Sequence, residues 1–159
     1  THQGFSDDSS WARGQSWAVY GLALCYHYTH EEAILPLFER VTKYFIDHLP
    51  EDYVPYWDLI FSDGSCEPRD TSAAAIAACG ILEMEKYYHN QEFLDIAKKM
   101  MSSLSEKYTT VDYLQSNGII KDGMYSRKHG HKSECTSWGD YFYLEALMRM
   151  KKSDWKIYW

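Results

Sequence analysis

Ten consecutive residues in the middle of the chain, Ala73-Ala74-Ala75-Ile76-Ala77-Ala78-Cys79-Gly80-Ile81-Leu82, carry no charge on any face. Asp70-Thr71-Ser72 leads into the run with residues that favour helix N-termini, and the run is rich in alanine, so the segment predicts a helix. A helix that is apolar all round must be surrounded by protein. The fold therefore has to be a helical one in which this segment is an inner helix. Two further segments read the same way. Ser16 to Tyr26 is almost entirely apolar or small, and a third run begins near Thr136-Ser137-Trp138-Gly139-Asp140 and continues through Tyr141, Phe142, Leu144, Ala146 and Leu147.

Between the inner segments lie amphipathic ones. Ile34, Leu37, Phe38, Val41, Phe45 and Leu49 share one helical face while Glu39, Arg40, Lys43 and Asp47 share the other, with Pro36 in the first turn or at a kink. Phe93, Ile96, Ala97, Met100 and Leu104 mark a second outer helix. The connections carry turn chemistry, Pro50, Pro55, Asp63-Gly64 and Pro68 in one and Asn117-Gly118 and Asp122-Gly123 in another. Tyr53-Val54 and Gly118-Ile119-Ile120 are candidates for small strands only. Inner helices starting near residues 11, 71 and 138 define a repeat of one inner and one outer helix, and such hairpins stack to share a core. A ring of them places all inner-helix N-termini on one side. The polar clusters at Gln3 to Gln15, Arg69 to Ser72 and Tyr125 to Asp140 are thus candidates for one shared pocket.

The first of these clusters is the densest. His2-Gln3-Gly4-Phe5-Ser6-Asp7-Asp8-Ser9-Ser10 runs into Trp11-Ala12-Arg13-Gly14-Gln15-Ser16-Trp17, with Asp7, Asp8, Ser9 and Ser10 as capping candidates. Indoles, a guanidinium and amides at a helix start are what a sugar acid needs: a flat apolar face, a planar fork for the carboxylate, and donors for hydroxyls. The plain alternative makes Trp11 and Trp17 core aromatics and Arg13 a structural ion-pair partner.

Bulk properties narrow the classes. At 159 residues, 45% hydrophobic and 25% charged, the chain suits one globular domain. A net charge of −7 argues against nucleic acid as a partner, and no apolar run reaches membrane-spanning length. No signal segment is evident, and a start at Thr1 inside a dense loop suggests that residues upstream lie elsewhere. The cysteines at 25, 66, 79 and 135 lack any Cys-x-x-Cys pairing; they read as reduced, mostly buried thiols, favouring a cytoplasmic setting with a periplasmic one as the alternative. Neither His129, His131 and Cys135 nor His27 and His30 shows a recognised metal spacing, so no metal or cofactor is expected.

Three ordered blocks carry a resemblance. Gln-Gly-Phe-x-Asp-x-Ser-x-Trp-x-Arg-Gly-Gln-x-Trp from Gln3, Pro-Arg-Asp-Thr-Ser-Ala-Ala at 68–74 and Trp-Gly-Asp-Tyr-Phe-Tyr-Leu-Glu-Ala-Leu at 138–147 resemble the unsaturated glucuronyl hydrolases. The resemblance implies an all-α fold, an α/α toroid of six helical hairpins, of which residues 1–159 would be about the C-terminal half. It implies an enzyme that removes the unsaturated uronic acid left by polysaccharide lyases at the non-reducing end of glycosaminoglycan-type oligosaccharides. Such enzymes hydrate the C4=C5 enol-ether double bond, and the resulting hemiketal opens and releases the sugar; one aspartic acid donates the proton and activates the water. By the same resemblance Gln3, Trp11, Arg13, Trp17 and Tyr125 match substrate-contacting positions. The proton-transferring aspartates belong to the N-terminal half, absent from this chain, which is the expected partner together with the oligosaccharide. Asp7, Asp8, Asp58, Asp70 and Asp140 are therefore not assigned as proton donors; Asp7, Asp8 and Asp70 read as caps and Asp140 as a first-turn carboxylate.

The basic stretch Ser126-Arg127-Lys128-His129-Gly130-His131-Lys132 departs from the pattern of relatives that favour sulfated sugars, as does His2 before Gln3, and sulfate preference stays open. The unsaturated rhamnogalacturonyl hydrolases, which share fold and chemistry, are the second reading, and a non-catalytic helical-hairpin carbohydrate-binding or scaffold module is a third.

Overall fold

Every residue from Asp70 to Ile81 is buried, as the small-residue run requires. The computed structural model describes residues 2–152 and 154–157 and shows how. Among the described residues five α-helices follow one another: α1 (Ala12–Thr29), α2 (Ile34–Asp47), α3 (Thr71–Met84), α4 (Gln91–Lys107) and α5 (Ser137–Lys151), with a 3-10 turn at Arg127–His129. Helix α3 lies between α1 and α5, α4 packs on α3, and α2 packs on α1. The inner helices therefore start at Ala12, Thr71 and Ser137, close to the positions read from the sequence, and two outer helices separate them.

Small residues let the inner helices touch. A Cβ added at Gly80 would lie 2.7 Å from the Cα of Tyr20, so α1 and α3 meet backbone to backbone there. The outer helices cover this seam with larger side chains: Phe38 and Phe45 from α2, and Phe93, Met100 and Leu104 from α4, are all buried. Pro36 sits in the first turn of α2, where its missing N–H costs nothing.

Three expectations need correction. Among the three inner helices only α3 is enclosed on all sides. Helices α1 and α5 stand at the ends of the row, so Trp17, Cys25 and Tyr28 on α1 and Tyr141, Leu144, Leu147 and Met150 on α5 are exposed. Cys66 is exposed as well and Cys135 half-buried, leaving Cys79 as the one fully buried thiol of the four. Tyr53-Val54 and Gly118-Ile119-Ile120 form no strand. Pairing among the described residues is confined to isolated bridges, such as Thr109 with Ile120 and Tyr56 with Arg69.

The capping residues also act differently from expectation. The N-cap of α1 is Trp11, without a side-chain cap, and the Ala12 N–H donates to the Trp57 carbonyl at 3.1 Å. The loop before it is organised by Asp58, which is fully buried: its Oδ2 accepts from the Phe5 N–H and the Ser9 hydroxyl, both at 2.8 Å. Asp7 and Asp8 therefore do not cap the helix. Thr136 does cap α5, accepting from the Gly139 N–H, whereas Asp140 accepts from the N–H groups of Ile119 and Ile120 at 2.9 and 3.0 Å and so anchors the preceding loop.

At the C-terminal ends of the inner helices a buried ionic cluster ties the row together. Arg149 of α5 pairs with Glu83 of α3 and donates through Nε to Glu145 at 2.9 Å; Tyr20 of α1 donates to the same Glu145 at 3.0 Å. His27 of α1 and Lys86 each lie 2.8 Å from a Glu83 oxygen.

Candidate functional site

The opposite, N-terminal ends of α1, α3 and α5 converge as the hairpin repeat requires. Gln3, Trp11, Arg13, Trp17, Tyr125 and Trp138 line one shallow pocket of about 150 Å³. All five residues singled out in the sequence are there. Trp138, from the first turn of α5, is the sixth; an indole at the start of an inner helix, as Trp11 is at the start of α1, is the signal that could have found it. Larger hollows of about 520 and 450 Å³ flank Trp155 at the C-terminal ends of the helices, but their linings centre on Lys86 and Trp155 rather than on this set of groups. We assign the smaller pocket because chemistry, and not volume, identifies a site.

Arg13 combines the two roles that sequence reasoning kept apart. Its guanidinium is buried, 4.7 Å from the Trp11 ring centroid and 5.1 Å from that of Trp138. Nη1 donates to Asp70 Oδ2 at 3.1 Å, Ser72 Oγ at 3.2 Å and the Met124 carbonyl at 2.7 Å, while Nη2 donates to the Tyr125 carbonyl at 2.6 Å. The two hydrogens of Nη1 thus meet three protein acceptors. The fork expected for a ligand carboxylate is largely used in binding α3 and the rim loop, and Arg13 is at once a structural ion-pair partner and a wall of the pocket.

Asp70 explains why. It stands at the N-cap position of α3 but its side chain does not cap; one oxygen faces Arg13 and the other accepts from the Ser72 hydroxyl at 2.5 Å and the Met124 N–H at 3.4 Å. Burial raises the Asp70 carboxyl pKa above its ordinary value, against the opposing pull of Arg13, Ser72 and Met124. Burial likewise lowers that of Arg13, with Asp70 and Tyr125 opposing. The cost of removing two charges from water is thus felt by both partners.

The aromatic walls differ in exposure. Trp17 is 38% and Tyr125 43% exposed, so each presents a ring to solvent. Trp17 packs edge-on against Phe142, and Tyr125 against His131 with Trp138 beside it. The Gln3 Oε1 is buried without a hydrogen-bond partner, leaving an acceptor to satisfy at the pocket. On the rim, His129 accepts or donates at Ser126 Oγ, 2.6 Å away, and its ring lies 4.9 Å from that of His2.

Some polar residues of the clusters turn elsewhere. Gln15 donates to the Val41 carbonyl of α2, and Arg69 stacks 3.9 Å over Tyr56 while pairing with Asp52. The described residues contain no group of three or more His, Cys, Asp or Glu placed to hold a metal ion.

A row of parallel inner helices backed by outer ones, with an aromatic pocket at the inner N-termini, places this chain in the α/α-toroid class. Comparison with known proteins narrows the class: the model for Glycosyl Hydrolase Family 88 matches residues 1–153, and the chain belongs to that family. It is 48% identical to the unsaturated chondroitin disaccharide hydrolase of Streptococcus pneumoniae over all of this chain and 41% of that protein. It is 39% identical to the unsaturated glucuronyl hydrolase of Bacillus sp. GL1 over 96% of this chain and 42% of that protein. A crystal structure of the Streptococcus agalactiae unsaturated glucuronyl hydrolase, complexed with dGlcA-GalNAc6S, superposes with a TM-score of 0.94 at 46% identity, covering 100% of this chain and 44% of that one. The chain thus spans less than half the length of the relatives it matches.

Proposed function

We propose that this chain is the sugar-binding part of an unsaturated glucuronyl hydrolase acting on lyase-generated, glycosaminoglycan-type oligosaccharides. The observation that carries the reading is the meeting of Gln3, Trp11, Arg13, Trp17, Tyr125 and Trp138 in one pocket. Relatives 39% to 48% identical carry the name of that activity, which supports it.

In this reading the exposed faces of Trp17 and Tyr125 flank the unsaturated ring, and Gln3 orients its polar groups. The carboxylates of this chain do other work: Asp58 and Asp70 are fully buried among structural donors, and Asp140 holds a loop. The proton added to the C4=C5 bond, and the activation of the water that attacks, are assigned to aspartates in the remainder of the enzyme. A cytoplasmic setting belongs to the same proposal, supported by four unpaired thiols.

The test is turnover of an unsaturated chondroitin disaccharide by the full-length protein, followed as loss of absorbance from the conjugated double bond. Steady loss of absorbance supports the reading. Absence of turnover, with activity instead on an unsaturated rhamnogalacturonan disaccharide, would replace it with the second reading; inactivity on both would favour a binding module.

A further inference from the structure

We infer that Asp70 and Ser72, which line no part of the pocket, are positioning residues for the substrate, acting through Arg13 and Trp138; the inference rests on the functional reading above. Both are fully buried at the start of α3. The Ser72 hydroxyl is saturated: it donates to Asp70 Oδ1 at 2.5 Å and accepts from Arg13 Nη1 and from the Trp138 indole N–H, each at 3.2 Å. One hydroxyl therefore links a residue of α1 and a residue of α5 to the central helix.

Asp70 completes the link on the loop side. Its carboxylate receives Arg13 and the Met124 N–H, and Arg13 in turn holds the carbonyls of Met124 and Tyr125. Four walls of the pocket, Trp11 under the guanidinium, Arg13, Trp138 and Tyr125, are connected to this one pair. The walls come from three separate stretches of chain, the start of α1, the loop at Tyr125 and the first turn of α5, and neither indole is fixed by a hydrogen bond to the other. The rotation of the Trp138 ring, and its separation from Trp11 with Arg13 between them, are set by Ser72 and Asp70. A site 1 Å looser binds the sugar ring less well before and during reaction alike, because ring stacking does not depend on the state of the double bond. Loss of the link should therefore appear in KM and not in kcat.

The experiment uses the full-length enzyme and an unsaturated chondroitin disaccharide. Ser72→Ala and Asp70→Asn should each raise KM about tenfold or more with kcat within about threefold of wild type, at a temperature where the variants are fully folded by circular dichroism. Trp138→Phe keeps the aromatic face and deletes only the indole N–H. It should raise KM in the same direction, and adding Ser72→Ala to it should cost less than Ser72→Ala alone costs in the wild type. A lowered melting temperature with KM within twofold of wild type would overturn the inference and make the pair purely structural. If the buried variants do not fold, an unchanged KM for Trp138→Phe overturns it by itself. Wild-type enzyme that fails to turn the disaccharide over would instead defeat the functional reading.

Discussion

Arg13 is a wall of the pocket and a structural anchor in a single side chain. Its planar fork serves four protein acceptors at once, and a lysine ammonium, a compact point charge, cannot reach them all. In the full-length enzyme Arg13→Lys should weaken substrate binding by about tenfold or more, seen as a rise in KM. Arg13→Met should destabilise the protein by about 3–5 kcal/mol in denaturant titrations, because it leaves the Asp70 carboxylate buried without its partner. Replacing Asp70 by Leu in the same protein should recover part of that loss, since an apolar pair avoids the desolvation cost. A double variant less stable than Arg13→Met alone would show that the ion pair is not the source. Much of this site was legible: Gln3, Trp11, Arg13, Trp17 and Tyr125 stand in short aromatic and polar motifs, and all line the pocket. The partners of Arg13 were not. Asp70 and Ser72 look in sequence like an ordinary helix start, and only the packing of α1 against α3 shows that their side chains face a guanidinium some 57 residues away.

At the level of the elements, the contact between α1 and α3 depends on a missing side chain. Gly80→Ala would place a methyl group 2.7 Å from the Tyr20 Cα and 2.8 Å from its backbone nitrogen. Overpacking of this kind costs about 1–3 kcal/mol and outweighs the helix propensity that alanine adds. The melting temperature should fall, with the helical signal retained. The other end of the row has a pH signature. For Glu83 burial is the largest influence and raises the pKa, but hydrogen bonds and charge from Lys86 and Arg149 together exceed it, so the carboxyl lies below its ordinary value. A depressed carboxylate stabilises the fold above its unfolded pKa, near about 4.3, and that stability is lost as pH falls through the folded pKa. Asp70 acts in the opposite sense, since its raised pKa contributes stability at low pH that is lost as pH rises through the folded value. Acid unfolding of Glu83→Gln should therefore be less steep below about pH 4.3 than that of wild type, although the variant is less stable at neutral pH. A steeper acid limb would contradict the assignment. The helices themselves were legible because hydrophobic period and small-residue runs encode inner and outer positions directly. Their caps were not, because Asp70 has the right chemistry for capping and yet finds tertiary partners instead.

The molecule as a whole presents one enclosed inner helix between two that are open on a side. Tyr141, Leu144, Leu147 and Met150 give α5 an exposed apolar flank, and Trp17, Cys25 and Tyr28 mark the open side of α1. Apolar surface on this scale is normally covered in a stable soluble protein. The 159-residue chain, isolated, should associate with itself or with the rest of the enzyme, and a concentration-independent monomer in sizing experiments would count against that view. From sequence alone the openness of the end helices was hidden, since an apolar face reads as buried whether or not its neighbour belongs to the same stretch of chain. The same division of the fold bears on chemistry: the proposal places the walls that hold the sugar here and the proton-transferring carboxylates in the remainder. The measurement that tests this most directly is the absorbance of an unsaturated chondroitin disaccharide incubated with the chain by itself, then with the remaining part of the enzyme added. The account predicts an unchanged absorbance with the chain alone and turnover once the two parts are combined. Robust turnover by the chain alone, abolished when Asp7, Asp8, Asp70 or Asp140 is changed to asparagine, would contradict it and show that the catalytic carboxylate lies within these residues.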